Sequence, residues 1–400
     1  MRAILFTLVL LSAEKTADAQ ASAFASGPYL TQLGSRSVVV RVETESAEAL
    51  TLTVAPGGLT VKDDAPKVGV HSLALDHLQP KTTYRYTVAS AHGAKEDGAF
   101  TTAPADDDTG DVHFVLYGDS RGGTPTHELI VKRIASEQAD FLVGTGDLVA
   151  DGRNNAQWES YFDIEGELLR DHCLFTTIGN HELVEESGAS FLRYFGTAEE
   201  QQKHVLYSTF RWGFLRFFVL DSEGSFLGED RQWLERELQK SETEPNVAWR
   251  IAVLHDGPFA SGLHGDNSKL WGADVPKLLR QHHIDFVFAG HDHIYERGAS
   301  DGLRYVVSGG AGAPLYPVKH LRSSARKVES AYHYVVFEVG TETGKLTAKR
   351  IDGSVIEEIG FTKHDMWNDD GPAIAPASTK PTTAPVTPGG SATPDDEEDH

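Results

Sequence analysis

Five apolar runs in this sequence end in residues that bind metals or phosphates. Phe114-Val115-Leu116-Tyr117 leads into Gly118-Asp119, and Phe141-Leu142-Val143 leads through Gly144-Thr145 into Gly146-Asp147. Residues 174–178 lead into Gly179-Asn180-His181-Glu182. Ile251-Ala252-Val253-Leu254 leads into His255, and Phe286-Val287-Phe288-Ala289-Gly290 leads into His291-Asp292-His293. Carboxylate, amide oxygen and imidazole are hard-to-borderline donors that suit Mn, Fe, Zn or a similar divalent ion. Glycine before Asp119, Asp147, Asn180 and His291 permits sharp turns and close backbone approach. A neutral Asn beside carboxylates limits the negative charge while still supplying an oxygen. Each element alone is ordinary, since a strand followed by Gly-Asp is usually a turn. Together, in this order, they point to one metal site.

Such a site needs neighbouring strands, because ligands in α/β sheets gather beyond the carboxyl ends. From residue 112 onward apolar strands alternate with helix-like segments, which predicts an α/β domain over 111–363. Thr124-Pro125 offers a cap and a first-turn proline for a helix through about residue 139. Residues 158–169 and 229–238 carry helical apolar spacing. Residues 334–339 and 345–351 read as strands. The preceding segment, 26–105, reads as all-β, with runs at 38–42, 50–54, 70–75 and 84–88 separated by turn formers. That spacing suggests a β-sandwich, with a spacer or lid as its default role.

The chain of 400 residues is long enough for two domains. Met1-Arg2, an apolar run over 3–13 and Ala17-Asp18-Ala19 make a secretory signal peptide over 1–19, so an exported, periplasmic or secreted protein is expected. That run is too short to span a bilayer, and no transmembrane segment is expected. Residues 364–400 are rich in Pro, Thr, Ala and Ser and end in an acidic run, a composition that does not order itself. A flexible stalk is the alternative for this tail. The net charge of −23 argues against binding a nucleic-acid duplex. A local cation cluster still binds phosphate in an acidic protein, which favours a metal site over a broad basic patch and leaves a phosphorylated small molecule open as the partner. The lone Cys173 forms no intramolecular disulfide and reads as a small buried hydrophobe.

At the residues quoted above the sequence resembles the calcineurin-like metallophosphoesterase superfamily, and within it the purple acid phosphatase branch. Gly290-His291-Asp292-His293-Ile294-Tyr295-Glu296-Arg297 is similar to that branch's longer ending, G-H-x-H-x-Y-E-R. Leu78-Gln79-Pro80-Lys81-Thr82-Thr83-Tyr84-Arg85-Tyr86, with Phe100-Thr101-Thr102, resembles a fibronectin type III module. The likeness covers about residues 26–361. It implies a double-sheet α/β sandwich flanked by helices. It also implies two divalent or mixed-valence metals (Fe, Mn or Zn). Asp119 and His293 would serve the first, Asp147 would bridge, and Asn180, His255 and His291 would complete the second. The implied reaction is phosphomonoester hydrolysis by metal-bound hydroxide. A phosphodiesterase or nucleotide hydrolase is the alternative, and a non-catalytic phosphate binder or an envelope adhesion protein are rivals from other classes. His181 would bind phosphate or protonate the leaving oxygen, or else orient its neighbours. His264 would be the general acid, or else a surface histidine.

Two positions depart from the family. Ala150 stands where the branch places a tyrosine whose ferric complex gives the purple colour, so no purple colour is expected and Fe(III) would be held less firmly. Arg121 stands where many superfamily members place a metal-binding His, and a guanidinium does not ligate. Its fork suits phosphate, so Arg121 is expected to grip substrate, the alternative being an ordinary ion pair. Asp151 or His127 are the alternative ligands. His282 and His283 read as a helix end, His172 and His204 have no motif context, and Asp221 reads as orienting a loop. Residues 308–313 lack the Gly-Lys-Ser/Thr signature of a phosphate loop and read as a flexible rim.

Overall fold

The computed structural model describes residues 24–184, 187–365 and 367. The expected leader, 1–19, and the tail from 368 lie outside the described residues. No helix among the described residues is long and apolar enough to cross a membrane.

The first unit holds β1 (Ser26–Thr31), β2 (Val38–Ala55), β3 (Leu59–Leu75), β4 (Thr83–Ser90) and β5 (Lys95–Thr101). The runs 38–42 and 50–54 are two halves of one strand, β2, and 70–75 is the far end of β3. A register shift between Thr44 and Leu50 separates the halves. One half pairs with β1 and the other with β4, so the long ribbon carries two flanks. Gly57 and Gly58, both at positive φ, turn β2 into β3.

The unit is tied to the rest of the chain by side chains that seek backbone carbonyls. Tyr29 Oη donates to Tyr194 O (3.1 Å), Arg41 to Tyr194 O (2.6 Å), and Tyr86 Oη to Arg170 O (2.8 Å). Arg170 lies just before the strand that leads to Asn180, at the opposite end from it. These contacts favour a spacer over a lid.

The remainder starts with β6 (Val112–Tyr117), α1 (Thr124–Ile134), β7 (Phe141–Gly144), α2 (Asn155–Asp171), β8 (Leu174–Thr176), α3 (Ala189–Phe195) and α4 (Ala198–Lys203). There follow β9 (Ser208–Trp212), β10 (Leu215–Val219), α5 (Glu229–Thr243), β11 (Trp249–Val253), α6 (Ser268–Gly272), α7 (Val275–Gln281) and β12 (Phe286–Ala289). It closes with β13 (Tyr295–Ser300), β14 (Leu303–Ser308), β15 (Ala325–Glu329), β16 (His333–Val339), β17 (Thr343–Arg350) and β18 (Val355–Thr362). One sheet runs β18-β17-β16-β6-β7-β8 and the other β15-β13-β14-β12-β11-β10-β9.

Strands β6, β7 and β8 are mutually parallel, as are β10, β11, β12 and β14. Their apolar runs are buried on both faces, as parallel strands between layers require. Successive residues alternate between layers. Phe114 meets Phe217 (5.8 Å) and Phe288 (6.1 Å) of the facing sheet, whereas Val115 and Tyr117 pack with Ile130, Trp158 and Phe162 of α1 and α2. On the other outer face Phe218, Ala252 and Val287 meet Leu234 and Leu238 of α5 and Leu279 of α7.

Three local expectations are corrected. Helix α1 stops at Ile134, not near 139, because Ser136 turns back on Arg133 O through both its N–H (3.0 Å) and its hydroxyl (2.6 Å). Residues 308–313 are buried rather than a flexible rim, with Ala311 N bonded to Gly118 O (3.0 Å) and Ala313 N to Asp119 O (2.8 Å). Packed chain also continues past 363. Trp367 is buried, donates to Gly298 O (3.0 Å) and lies over the Arg297 guanidinium.

Candidate metal centre

Asp119, Asp147, Asn180, His255 and His291 each follow a parallel strand by a few residues, and His293 lies two residues beyond His291. Six residues from five separate segments therefore meet at one edge of the two sheets. Asp119, Asp147 and His291 sit at positive φ (58°, 53° and 66°), a strained region for residues with a Cβ. Surrounding bonds hold that strain. Asp119 N donates to Gly146 O (3.0 Å), and Asp119 accepts from His291 N (3.1 Å). The buried Glu182 carboxylate accepts from Asp147 N (3.1 Å), Val149 N (3.0 Å) and Gly179 N (2.9 Å). Glycine is needed twice for close approach: a Cβ on Gly290 would run into Asp119 Oδ2, and one on Gly179 into Asp147 Oδ1.

One cluster centres on His255. Its Nδ1 donates to Thr145 O (2.7 Å), which turns Nε2 towards the site as a lone-pair donor. Around that Nε2 lie Asn180 Oδ1 (3.0 Å), His291 Nδ1 (3.2 Å) and Asp147 Oδ1 (3.3 Å). Separations of this size are those of ligands sharing an ion at about 2.1 Å.

The other cluster is Asp119, Asp147 and His293, whose ligand atoms all lie within 4.8 Å of one another. His293 Nδ1 donates to Pro314 O (2.6 Å), leaving Nε2 aimed at Asp119 Oδ1 (3.5 Å). That buried Nε2 has no hydrogen-bond partner among the described residues. Burying an unsatisfied ring nitrogen is costly, and a cation there would satisfy it. Both clusters thus fit metal ions, and Asp147 belongs to both.

The electrostatics agree. Burial alone would raise the Asp147 carboxyl, but His255, His181 and Arg121 outweigh it and hold the carboxyl well below the usual range. Burial disfavours charge on His255, yet Asp147 and Asp119 lift its pKa to about 10. Burial, then His255 and His264, push His291 well below 6.5. The carboxylates draw a positive charge into the pocket, and a bound cation would replace the proton.

The residues expected around substrate surround these clusters. His181 Nδ1 donates to Ala150 O (2.7 Å), and its Nε2 faces Asp147 Oδ2 at 3.8 Å, too far for a hydrogen bond. His264 is exposed, with its ring 4.2 Å from that of His291. Arg121 departs from the simple phosphate-gripping expectation, because its Nε donates to Asp147 Oδ2 at 3.1 Å. Ala150 and Arg121 line the same cleft, of about 170 Å³.

The alternative ligands lie elsewhere. His127 is buried against Glu165 (2.8 Å), and Asp151 is paired with Arg153 (2.8 Å). Asp221 caps Glu223 N (2.9 Å), His282 pairs with Glu242 (2.9 Å), and His172 and His204 bond the carbonyls of Leu168 and Ser187. His283 follows α7 at positive φ. Cys173 is buried, and burial pushes its thiol up to about 12.

Sequence reasoning gave no role to several residues that shape the site. Glu182 and Asp292 were visible inside G-N-H-E and H-x-H, and both proved to be acceptors for backbone N–H groups. Asp292 accepts from Gly262 N and His264 N, each at 3.0 Å. Glu296 holds Ser261 through N (2.7 Å) and Oγ (2.9 Å), while Arg297 grips Glu357 of β18 (2.8 Å). Tyr316 carried no signal, since it lies in an irregular loop. Its ring stacks on His293 at 3.9 Å and 14°.

The calcineurin-like phosphoesterase family pattern matches residues 109–295. Purple acid phosphatase 21 of Arabidopsis thaliana is 26% identical over 240 residues, covering 57% of this chain and 53% of its own length. The chain thus spans about half the length of that relative. In fold it is similar to a purple acid phosphatase from yellow lupin (Lupinus luteus) seeds, with TM-score 0.73, 18% identity, and 84% and 74% of the two chains covered. It is also similar to PhoD, with TM-score 0.70, 14% identity, and 90% and 95% covered.

Proposed function

This chain carries a calcineurin-like phosphoesterase domain over residues 109–295, and we propose that it hydrolyses phosphate monoesters with two metal ions held at that domain's strand edge. The observation that carries the reading is the convergence of six side chains into two clusters that share Asp147. Asp119, His293 and Asp147 hold the first ion, and Asp147, Asn180, His255 and His291 the second. The ions, when bound, supply positive charge for the phosphoryl oxygens and lower the pKa of water. Asn180 and His181 position the phosphoryl group, with Arg121 beside it. His264, at the exposed mouth, protonates the leaving oxygen. Monoester preference follows from the likeness to acid phosphatases; diesters and nucleotides are the competing substrates. The chain is exported through the segment 1–19, and residues 26–105 form a fibronectin type III-like spacer ahead of the catalytic domain, 111–363.

Asp147→Asn tests the shared ligand. Hydrolysis of an aryl phosphate should fall by more than the roughly 10–100-fold typical of losing an outer partner. Turnover retained in that variant defeats the assignment. A metal-dependent phosphate binder is the second reading, favoured by the Arg121–Asp147 contact at the first cluster. About two ions per chain with turnover support the enzyme, and one ion without turnover supports the binder.

A further inference from the structure

Arg121 and the first metal position share the Asp147 carboxylate. The guanidinium Nε donates to Asp147 Oδ2 at 3.1 Å, while Asp147 Oδ1 faces His255 at 3.3 Å. The two oxygens of the shared carboxylate are thus divided between a fixed cation on one side and the histidine-rich cluster on the other. The Arg121 side chain is only 14% exposed, and its own backbone N–H bonds Asp147 O (3.3 Å), so the group is held beside the carboxylate rather than sampling solvent. Resting on the two-metal reading above, we propose that Arg121 is a resident competitor for the first metal position. The histidine-rich position then fills tightly, and the Asp119/His293 position fills weakly, with divalent ions only.

The physical reason is charge and ligand count. The first position offers two carboxylates, one of them shared, and one imidazole. A guanidinium that keeps its proton adds a positive charge within the same few ångströms, and repulsion rises with the charge of the incoming ion. A trivalent ion is therefore penalised more than a divalent one. The histidine-rich position uses the other Asp147 oxygen and keeps Asn180, His255 and His291, so the guanidinium takes none of its ligand atoms.

The test is equilibrium dialysis of the full chain against graded Zn(II) or Mn(II), with metal counted per chain and folding checked by circular dichroism. The wild type should load in two steps separated by at least about tenfold in affinity. Arg121→Gln should tighten the weaker step by about tenfold or more and leave the tighter step within about threefold. Arg121→Lys, which keeps the charge, should leave the weaker step weak. Two unchanged steps in Arg121→Gln overturn the proposal while leaving the phosphoesterase reading standing. A wild-type chain that binds no metal overturns that reading and this proposal together.

Discussion

Asp292, the residue between the two ligand histidines, accepts the backbone N–H of His264 at 3.0 Å. The same carboxylate also holds Gly262 N (3.0 Å) and Gly265 N (3.3 Å). The H-x-H segment therefore positions the loop that carries the proposed general acid, as well as two metal ligands.

His264→Ala should lower kcat by about 10²-fold or more on alkyl phosphates, and by much less on nitrophenyl phosphate, whose leaving group needs no proton. Asp292→Ala should show the same leaving-group dependence, and the double variant should be little worse than either single one. Additive losses in kcat would separate the two residues.

Iron-loaded protein should show no phenolate-to-iron absorption in the visible. Ala150 supplies no phenol, and Tyr316 lies face to face with His293 at 14°, which keeps its oxygen out of the imidazole plane where an ion would sit. The double variant Arg121→Gly with Ala150→Tyr should acquire that band, because it adds a phenol at 150, close after Asp147 in the chain, and removes the guanidinium that holds Asp147 Oδ2 (3.1 Å). Visible spectra of both proteins check this; a band in the unaltered chain would show that some phenol does reach the metal.

Acid should destabilise the fold through His333. The ring is fully buried, its Nδ1 donates to Ala331 O (2.8 Å), and burial lowers its pKa to about 4. The unfolded chain, with a His near 6.5, binds more protons between those two values. Stability is therefore intact above about pH 6.5 and falls by up to ~3 kcal/mol as pH drops towards 4. Denaturant titrations at several pH values should give a shallower slope in this window for His333→Gln. Equal slopes would assign acid sensitivity to other groups.

The site was legible because the six ligands follow five apolar runs, and a parallel strand buried on both faces leaves a clear local pattern. Gly-Asp, Gly-Asn-His and Gly-His-x-His therefore indicated both the ligands and the strand edge where they meet. Less was legible in the β-rich unit, where residues 38–42 and 50–54 read as separate strands, since the polar stretch 43–49 that carries the bulge of β2 interrupts the apolar pattern as a loop would. The length of α1 was misread because Ser136 ends it by bonding back to Arg133 O, and a serine alone does not announce that geometry.

By itself, then, the chain's order of residues determined the ligand types, the strands that carry them and the α/β class, all of which depend on short-range periodicity. Only the tertiary structure decided that Arg121 turns onto Asp147, that Tyr316 covers His293 and that Asp292 holds His264. Those contacts join segments 23 to 28 positions apart. Each depends on where a loop comes to rest after the sheets have packed, and no local pattern of side chains encodes that.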